Sequence, residues 1–234
     1  MSRPPVTARR SAAMNRLPPI SFACLALVVA IGCSSQPLTP SSGEPSGSPD
    51  LSLQPGAWKT ISEPAGFALN NDADGHLLFD FPSSGSVNYL YNVHPPREVS
   101  GELSVVVQVT TDGPVVFNYM TEPFNTCAAP ASARPFIWAN RNLWGDNDRW
   151  WSNPETFPLT AGSATLTVPL VGSHWSNVNA RFGNADPAAK AAFDLALQNV
   201  SSLGLTFGGG CFFGHGVYVR GGRAQFALVG YRIQ

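Results

Sequence analysis

The feature that most constrains this chain is a series of short β-branched and aromatic segments, separated by Gly, Pro, Asn or Asp. Such segments are typical of strands, and the residues between them favour turns. Only one stretch predicts a helix: Asp186 suits the N-cap, Pro187 suits the first helical position, and Ala and Leu follow. The pattern predicts an all-β jelly-roll β-sandwich with one short helix over about 186–199. The predicted strands are Trp58–Ile61, His76–Phe81, Val87–Tyr91, Leu103–Thr110, Val115–Met120, Phe136–Trp138, Thr165–Leu170, Leu203–Phe207 and Ala224–Ile233, with a possible bulge at Gly230.

The N-terminal segment predicts export. Four arginines lie within the first sixteen residues, no acidic residue precedes Glu44, and Ile20–Ile31 is a nearly unbroken apolar run. This run is shorter than the roughly 20 residues that cross a bilayer as a helix. A basic stretch followed by a short apolar run indicates a secretory signal peptide.

The end of that run, Ala30-Ile31-Gly32-Cys33, resembles the lipobox of bacterial lipoproteins, although the family usually has Leu where this chain has Ala30. The resemblance implies a signal peptide over 1–32, starting at Met1 or Met14, and a lipid on Cys33 that anchors the protein in a bilayer. The residue after Cys33 is Ser rather than Asp. That difference implies a cell-envelope location, at the outer membrane if the organism has one.

Composition separates a tether from a folded domain. Residues 33–56 comprise the lipidated Cys33 and a segment in which 15 of the next 23 residues are Ser, Pro or Gly, which predicts a disordered linker. Residues 57–234 form the predicted β-sandwich domain. After Cys33 there are 10 basic and 15 acidic side chains, a net charge of −5 that argues against nucleic acid as a partner. The glycines of 208–216 lack the spacing and Lys of phosphate-binding loops, which argues against a nucleotide.

The C-terminal sequence resembles the galactose-binding-like jelly rolls of bacterial carbohydrate-binding modules. The similarity lies in "ATLTVPLVGSHW", in "ALQNVSSLGLTFGGGCFFGHGVYV" and in the closing "AQFALVGYRI". The similarity covers about the last 70 residues and lies in the general pattern of residue types, not in a diagnostic motif. It implies a β-sandwich that binds a sugar chain without catalysis of its own, and it does not identify the binding residues.

The segment from 138 to 151 holds four of the six tryptophans among Asn, Asp and Arg residues. An aromatic plate packs on the C–H face of a sugar ring, and planar polar side chains pair with its hydroxyl groups. A packed lid over the sandwich and a protein interface are the alternative interpretations. The candidate ligand-binding residues are Trp138, Asn140, Arg141, Trp144, Asp146, Asp148, Trp150 and Trp151.

Two further groups suggest structural chemistry. Asn70, Asp72 and Asp74 alternate as at the start of a calcium loop, but the closing Glu is missing and a hairpin turn explains the same residues. No cofactor is therefore predicted beyond this calcium candidate.

Once Cys24 leaves with the signal peptide and Cys33 takes the lipid, Cys127 and Cys211 remain as a disulfide pair or as two buried thiols.

These observations predict a lipid-anchored envelope protein with a non-catalytic ligand-binding domain, most simply one that binds polysaccharide. A structural or assembly lipoprotein that binds an envelope protein is the alternative. A carbohydrate-active enzyme is the third: Asp146, Asp148 and Glu155 lie close in sequence, but the sequence does not give the separation that a glycosidase needs. There is no G-x-S-x-G motif for a serine hydrolase, and no catalytic residue is predicted.

Overall fold

A computed structural model describes residues 50–63, 67–120, 130–140, 145–209 and 216–234. The predicted signal peptide, Cys33 and most of the predicted linker lie outside these residues. No helix in the described ranges is long and apolar enough to cross a membrane. The elements are β1 Trp58–Glu63, β2 Asn70–Asn71, β3 Leu77–Asp80, β4 Ser86–Arg97, β5 Glu102–Asp112, β6 Val116–Tyr119, β7 Ala131–Trp138, β8 Arg149–Ser152, β9 Phe157–Pro158, β10 Gly162–Pro169, β11 Trp175–Asn177, α1 Pro187–Gln198, β12 Val200–Gly209, β13 Val217–Arg220 and β14 Arg223–Ile233, with 3₁₀ turns at Pro55–Ala57 and Gly172–His174.

The strands form two antiparallel sheets, which confirms the predicted all-β sandwich. The larger sheet has the order β11-β8-β7-β12-β4-β13-β6, with β1 added on β4 and β9 on β7. The smaller sheet has the order β10-β5-β14-β3-β2. Long connections therefore place strands that are distant in sequence side by side, as a jelly roll requires.

The core lies between the two sheets and is rich in phenylalanine. Phe79 of β3 stacks on Phe226 of β14 with ring centroids 5.0 Å apart, and both rings contact Phe207 of β12 from the opposite sheet. Tyr231 is also buried, and its hydroxyl donates a hydrogen bond of 3.0 Å to the carbonyl oxygen of Gly204. Aromatic packing of this kind joins the two sheets into one sandwich.

The predicted helix is confirmed, with Asp186 as its N-cap. The Asp186 carboxylate accepts hydrogen bonds from the amides of Ala188 and Ala189, at 2.9 and 3.0 Å. A hydrogen bond from Arg181, with help from the Ala189 amide, holds the pKa of Asp186 below its usual value. The helix buries Phe193 against the larger sheet, where it contacts Trp150.

Several strand boundaries differ from the sequence prediction. Strand β4 continues past the predicted end at Tyr91 and includes Pro95 and Pro96, where the pairing with β12 shifts register. Proline is tolerated there because an irregular ladder does not need its missing N–H. The expected bulge is confirmed in β14, where the register shifts between Leu228 and Gly230.

Described residues before position 57 also contact the sandwich. Leu51 is buried, and its amide donates a hydrogen bond of 2.9 Å to the carbonyl oxygen of Tyr231. The indole nitrogen of Trp58 donates a hydrogen bond of 2.7 Å to the carbonyl oxygen of Ser52. The last residues of the compositional linker therefore pack on the sandwich.

Candidate functional site

The outer face of the larger sheet carries aromatic side chains where a sandwich ordinarily presents polar ones to water. Phe136 of β7 lies directly opposite Trp151 of β8. On its other side Phe136 faces Gly204 of β12, which in turn faces Tyr91 of β4. Directly opposed residues share a face. The resulting cluster, separate from the main core, is called here the aromatic face and comprises Tyr89, Tyr91, Phe136, Trp138 and Trp151.

The neighbouring tryptophans of β8 point to opposite faces of the sheet. Trp151 belongs to the aromatic face, whereas Trp150 lies opposite Ile137 in the main core. Trp150 is fully buried, its ring packs on Phe193 with centroids 5.0 Å apart, and its indole nitrogen donates to the carbonyl oxygen of Asn147 at 2.8 Å. Trp150 thus occupies a packing position.

The two tyrosines form the accessible part of the aromatic face. Tyr89 packs edge-on against Phe136 at 5.2 Å, and Tyr91 lies 6.0 Å from Trp138 between ring centroids. Phe136, Trp138 and Trp151 are buried, with exposures of 0%, 4% and 1%, whereas both tyrosines are only partly buried. A ligand on this face would meet the tyrosine rings first.

Arg149 links the two sides of the aromatic face. Its guanidinium carbon lies 5.5 Å above the Trp151 ring. Burial raises the pKa of Tyr89, and the positive charge and hydrogen bond of Arg149 oppose that rise. Tyr89 and Arg149 stand on β4 and β8, three strand spacings apart, or about 14 Å in a flat sheet. Their interaction therefore takes place across the aromatic face, over the two intervening strands β7 and β12.

A second arginine lies on β7 among buried residues. Arg134 is 2% exposed, and burial lowers its pKa to about 10. Its guanidinium donates long hydrogen bonds to the carbonyl oxygens of Ser152 and Gly209, at 3.5 and 3.4 Å. It directly faces Thr206, as does Tyr89, so it lies on the same side of the sheet as the aromatic face.

The polar residues predicted beside the tryptophans lie in the turn between β7 and β8. The Asp148 carboxylate accepts a hydrogen bond of 2.7 Å from the amide of Gly145, which closes this turn. Asp146 is exposed and accepts a hydrogen bond of 2.8 Å from the Asn179 side chain. Asn140 is exposed and, with Asp148, lines a cleft beside α1. The predicted residues Arg141 and Trp144 lie outside the described residues.

The acidic groups near this turn each have a structural partner. Glu155 pairs with His174, in addition to the contacts of Asp146 and Asp148 described above. Asp148 closes a turn, whereas Asp146 and Glu155 link segments that are distant in sequence, and the buried Oε2 of Glu155 has no hydrogen-bond partner among the described residues.

The candidate calcium residues form the hairpin turn between β2 and β3. Asp72 Oδ1 accepts hydrogen bonds from the amides of Asp74 and His76, at 3.0 and 2.9 Å, and Oδ2 lies 2.8 Å from the His76 ring nitrogen Nδ1. Desolvation would raise the pKa of Asp72, but the hydrogen bonds and charge of His76, together with the Asp74 amide, outweigh it and lower that pKa. Ligand atoms of Asp72, Asp74 and His76 lie within 4.8 Å of one another. The turn accounts for both Asp72 oxygens, and calcium at Asn70, Asp72 and Asp74 stays a prediction.

Comparisons with known proteins give distant structural likenesses. No protein-family profile matches the sequence, and no curated protein matches it. A solved xylan-binding module, CBM15, is similar with 13% identity and a TM-score of 0.37, over 78% of this chain and 98% of that one. An arabinose-bound α-L-arabinofuranosidase, MgGH51, is similar with 14% identity and a TM-score of 0.34, over 75% of this chain and 23% of that one. Neither likeness is close enough to assign a ligand or an activity to this chain.

Proposed function

We propose that this protein is a lipid-anchored, non-catalytic module that binds a saccharide chain on its aromatic face. The observation that carries the proposal is the aromatic outer surface of the larger sheet, where aromatic rings stand beside tyrosine hydroxyls and Arg149. Sugar rings pack their C–H faces on such plates, and hydroxyl and guanidinium groups satisfy sugar oxygens. Because the face spans neighbouring strands of one sheet, it also gives an extended chain a continuous contact across several strands.

The tyrosines rather than the tryptophans are the proposed stacking residues. Tyr89 and Tyr91 keep part of their surface accessible, whereas Trp138 and Trp151 form the buried layer behind them. Tyr and Trp side chains have few rotatable bonds, so binding on a preformed layer of them costs little conformational entropy. The non-catalytic part of the proposal is supported by the hydrogen bonds of Asp146 to Asn179 and of Asp148 to the Gly145 amide, which give these two carboxylates structural partners.

Affinity electrophoresis of the full chain on a panel of soluble plant and bacterial polysaccharides tests the proposal. Tyr91→Ala should weaken binding about tenfold, because truncating a central aromatic contact costs more than about 1 kcal/mol. Tyr218→Ala is the matched control, since Tyr218 lies on β13 of the same sheet and outside the aromatic face. Binding to no polysaccharide, or equal losses in the two variants, would overturn the proposal. Capture of an envelope protein that depends on Tyr91 would favour the protein-partner alternative.

The lipid anchor has a separate test. Two or more acyl chains hold a protein stably on a membrane, since each buried CH₂ contributes about 0.8 kcal/mol. Cys33→Ala should release the protein from the membrane fraction and abolish labelling by a fatty-acid analogue. A variant that still carries label and still sediments with membranes would refute the anchor.

A further inference from the structure

We infer that the cleft between helix α1 and the turn that joins β7 to β8 is a second binding site, which accepts a single neutral sugar ring. The cleft has a volume of about 370 Å³, within the range of roughly 300–1,000 Å³ that ligand pockets occupy. The inference rests on the proposed function for the class of ligand but uses different residues. Its polar lining comprises Asn140, Asn147, Asp148 and Asn199.

The lining combines an apolar side with polar groups, as a sugar ring requires. Ala192, Leu195 and Ala196 come from α1, and Leu195 is 61% exposed despite its apolar side chain. Three amides and one carboxylate supply the polar groups. Because the Asp148 carboxylate repels negative charge and the amides offer both donors and acceptors, the cleft suits a neutral polyhydroxylated ligand better than an anion.

The polar side chains are held in place and still have capacity for hydrogen bonds. Asn147 Oδ1 accepts a hydrogen bond of 2.8 Å from Asn177, which leaves the Asn147 amide hydrogens without a partner among the described residues. Asp148 uses Oδ2 to hold the Gly145 amide, and Asn199 uses its Nδ2 to contact the Leu195 carbonyl. Oδ1 of Asp148 and Oδ1 of Asn199 therefore remain available to accept sugar hydroxyls.

The wall of the cleft is anchored in the core. The Asn147 carbonyl accepts the 2.8 Å hydrogen bond of the fully buried Trp150 indole, and the Asn177 side chain that orients Asn147 is also buried. Groups fixed in this way lose little freedom on binding, which is the condition for specific recognition of a small ligand. Asn140 supplies a further amide, exposed and without a hydrogen bond to another described residue.

Titration of the full chain with D-glucose, D-galactose, D-xylose and N-acetyl-D-glucosamine at millimolar concentrations, followed by saturation-transfer NMR, tests this inference. At least one sugar should bind, and Ala192→Phe should abolish that binding because the larger ring fills the cleft. Ala191→Phe is the matched control, since Ala191 is exposed on the same helix and does not line the cleft. Asn140→Ala should weaken binding about three- to tenfold, the loss expected for one or two neutral hydrogen bonds.

Thermal melting of each variant separates blocked binding from failed folding, and Asn140→Ala removes only an exposed side chain. Binding of none of the four sugars, or equal binding by Ala192→Phe and Ala191→Phe, overturns the inference. If polysaccharide binding still depends on Tyr91 while no single sugar binds, only the cleft is refuted. If a sugar binds in the cleft while no polysaccharide binds, the aromatic face is refuted and the cleft stands.

Discussion

Replacing Trp150 by alanine should strongly lower the stability of the domain, because Trp150 packs in the core and does not contact ligand. A buried aromatic side chain removes about 150–250 Å² from water, worth about 4–6 kcal/mol at 25 cal/mol per Å². Trp150 has no exposed surface, and its removal would leave a cavity against Phe193. Mutations of this kind cost about 3–5 kcal/mol. For a domain of this size the melting temperature should fall by about 6–20 °C.

Thermal denaturation followed by circular dichroism measures this effect, and Trp150→Phe supplies the control. Phenylalanine keeps a ring against Phe193 but removes the indole N–H that bonds the Asn147 carbonyl, so it should cost about 1–2 kcal/mol. Trp150→Phe should also weaken any sugar bound in the cleft, because Asn147 forms part of the wall. The reasoning fails if Trp150→Ala melts within about 2 °C of wild type, or if it loses polysaccharide binding at an unchanged melting temperature.

Three further predictions concern other parts of the chain. Gly204→Ala should lower the free energy of unfolding by about 1–3 kcal/mol in chemical denaturation, because the added Cβ would lie 2.1 Å from the Leu90 carbonyl oxygen. An unchanged unfolding midpoint would contradict the close approach of β4 and β12. Asp186→Ala should lower the melting temperature at pH values above the usual Asp pKa of 3.8. The difference from wild type should shrink as the pH falls through the lowered pKa of Asp186, because the fold favours the carboxylate form; a difference that stays constant across this pH range would exclude the linkage. A disulfide should join Cys127 and Cys211, which lie outside the described residues, and close a loop of about 85 residues. It should stabilise the folded state by at most about 4–5 kcal/mol. Two alkylated thiols in mass spectrometry of the unreduced protein would rule it out.

Local sequence signals predicted the elements that are stabilised by contacts between residues close in sequence. Asp186 and Pro187 placed the start of α1, because capping and the fixed proline φ act within one turn. The turn at Asp72–Gly75 was predicted for the same reason, since its hydrogen bonds stay within a few residues. Strand β8 was missed because its four residues, Arg149–Ser152, were interpreted as part of a tryptophan-rich loop, whereas they pair with the preceding strand β7 and with β11, which lies further along the chain.

The candidate site shows the same division between local and long-range causes. The sequence alone determined that tryptophans and polar side chains concentrate between 138 and 151, and that one jelly-roll sandwich would contain them. Only the tertiary structure decided that Trp150 enters the core while its neighbour Trp151 joins the outer cluster. The same structure brought Tyr89 and Tyr91 to that cluster from a strand about 60 residues earlier, because β12 pairs with both β4 and β7. Strand alternation fixes that adjacent residues face opposite ways, but which face is buried depends on the partners that the whole fold supplies.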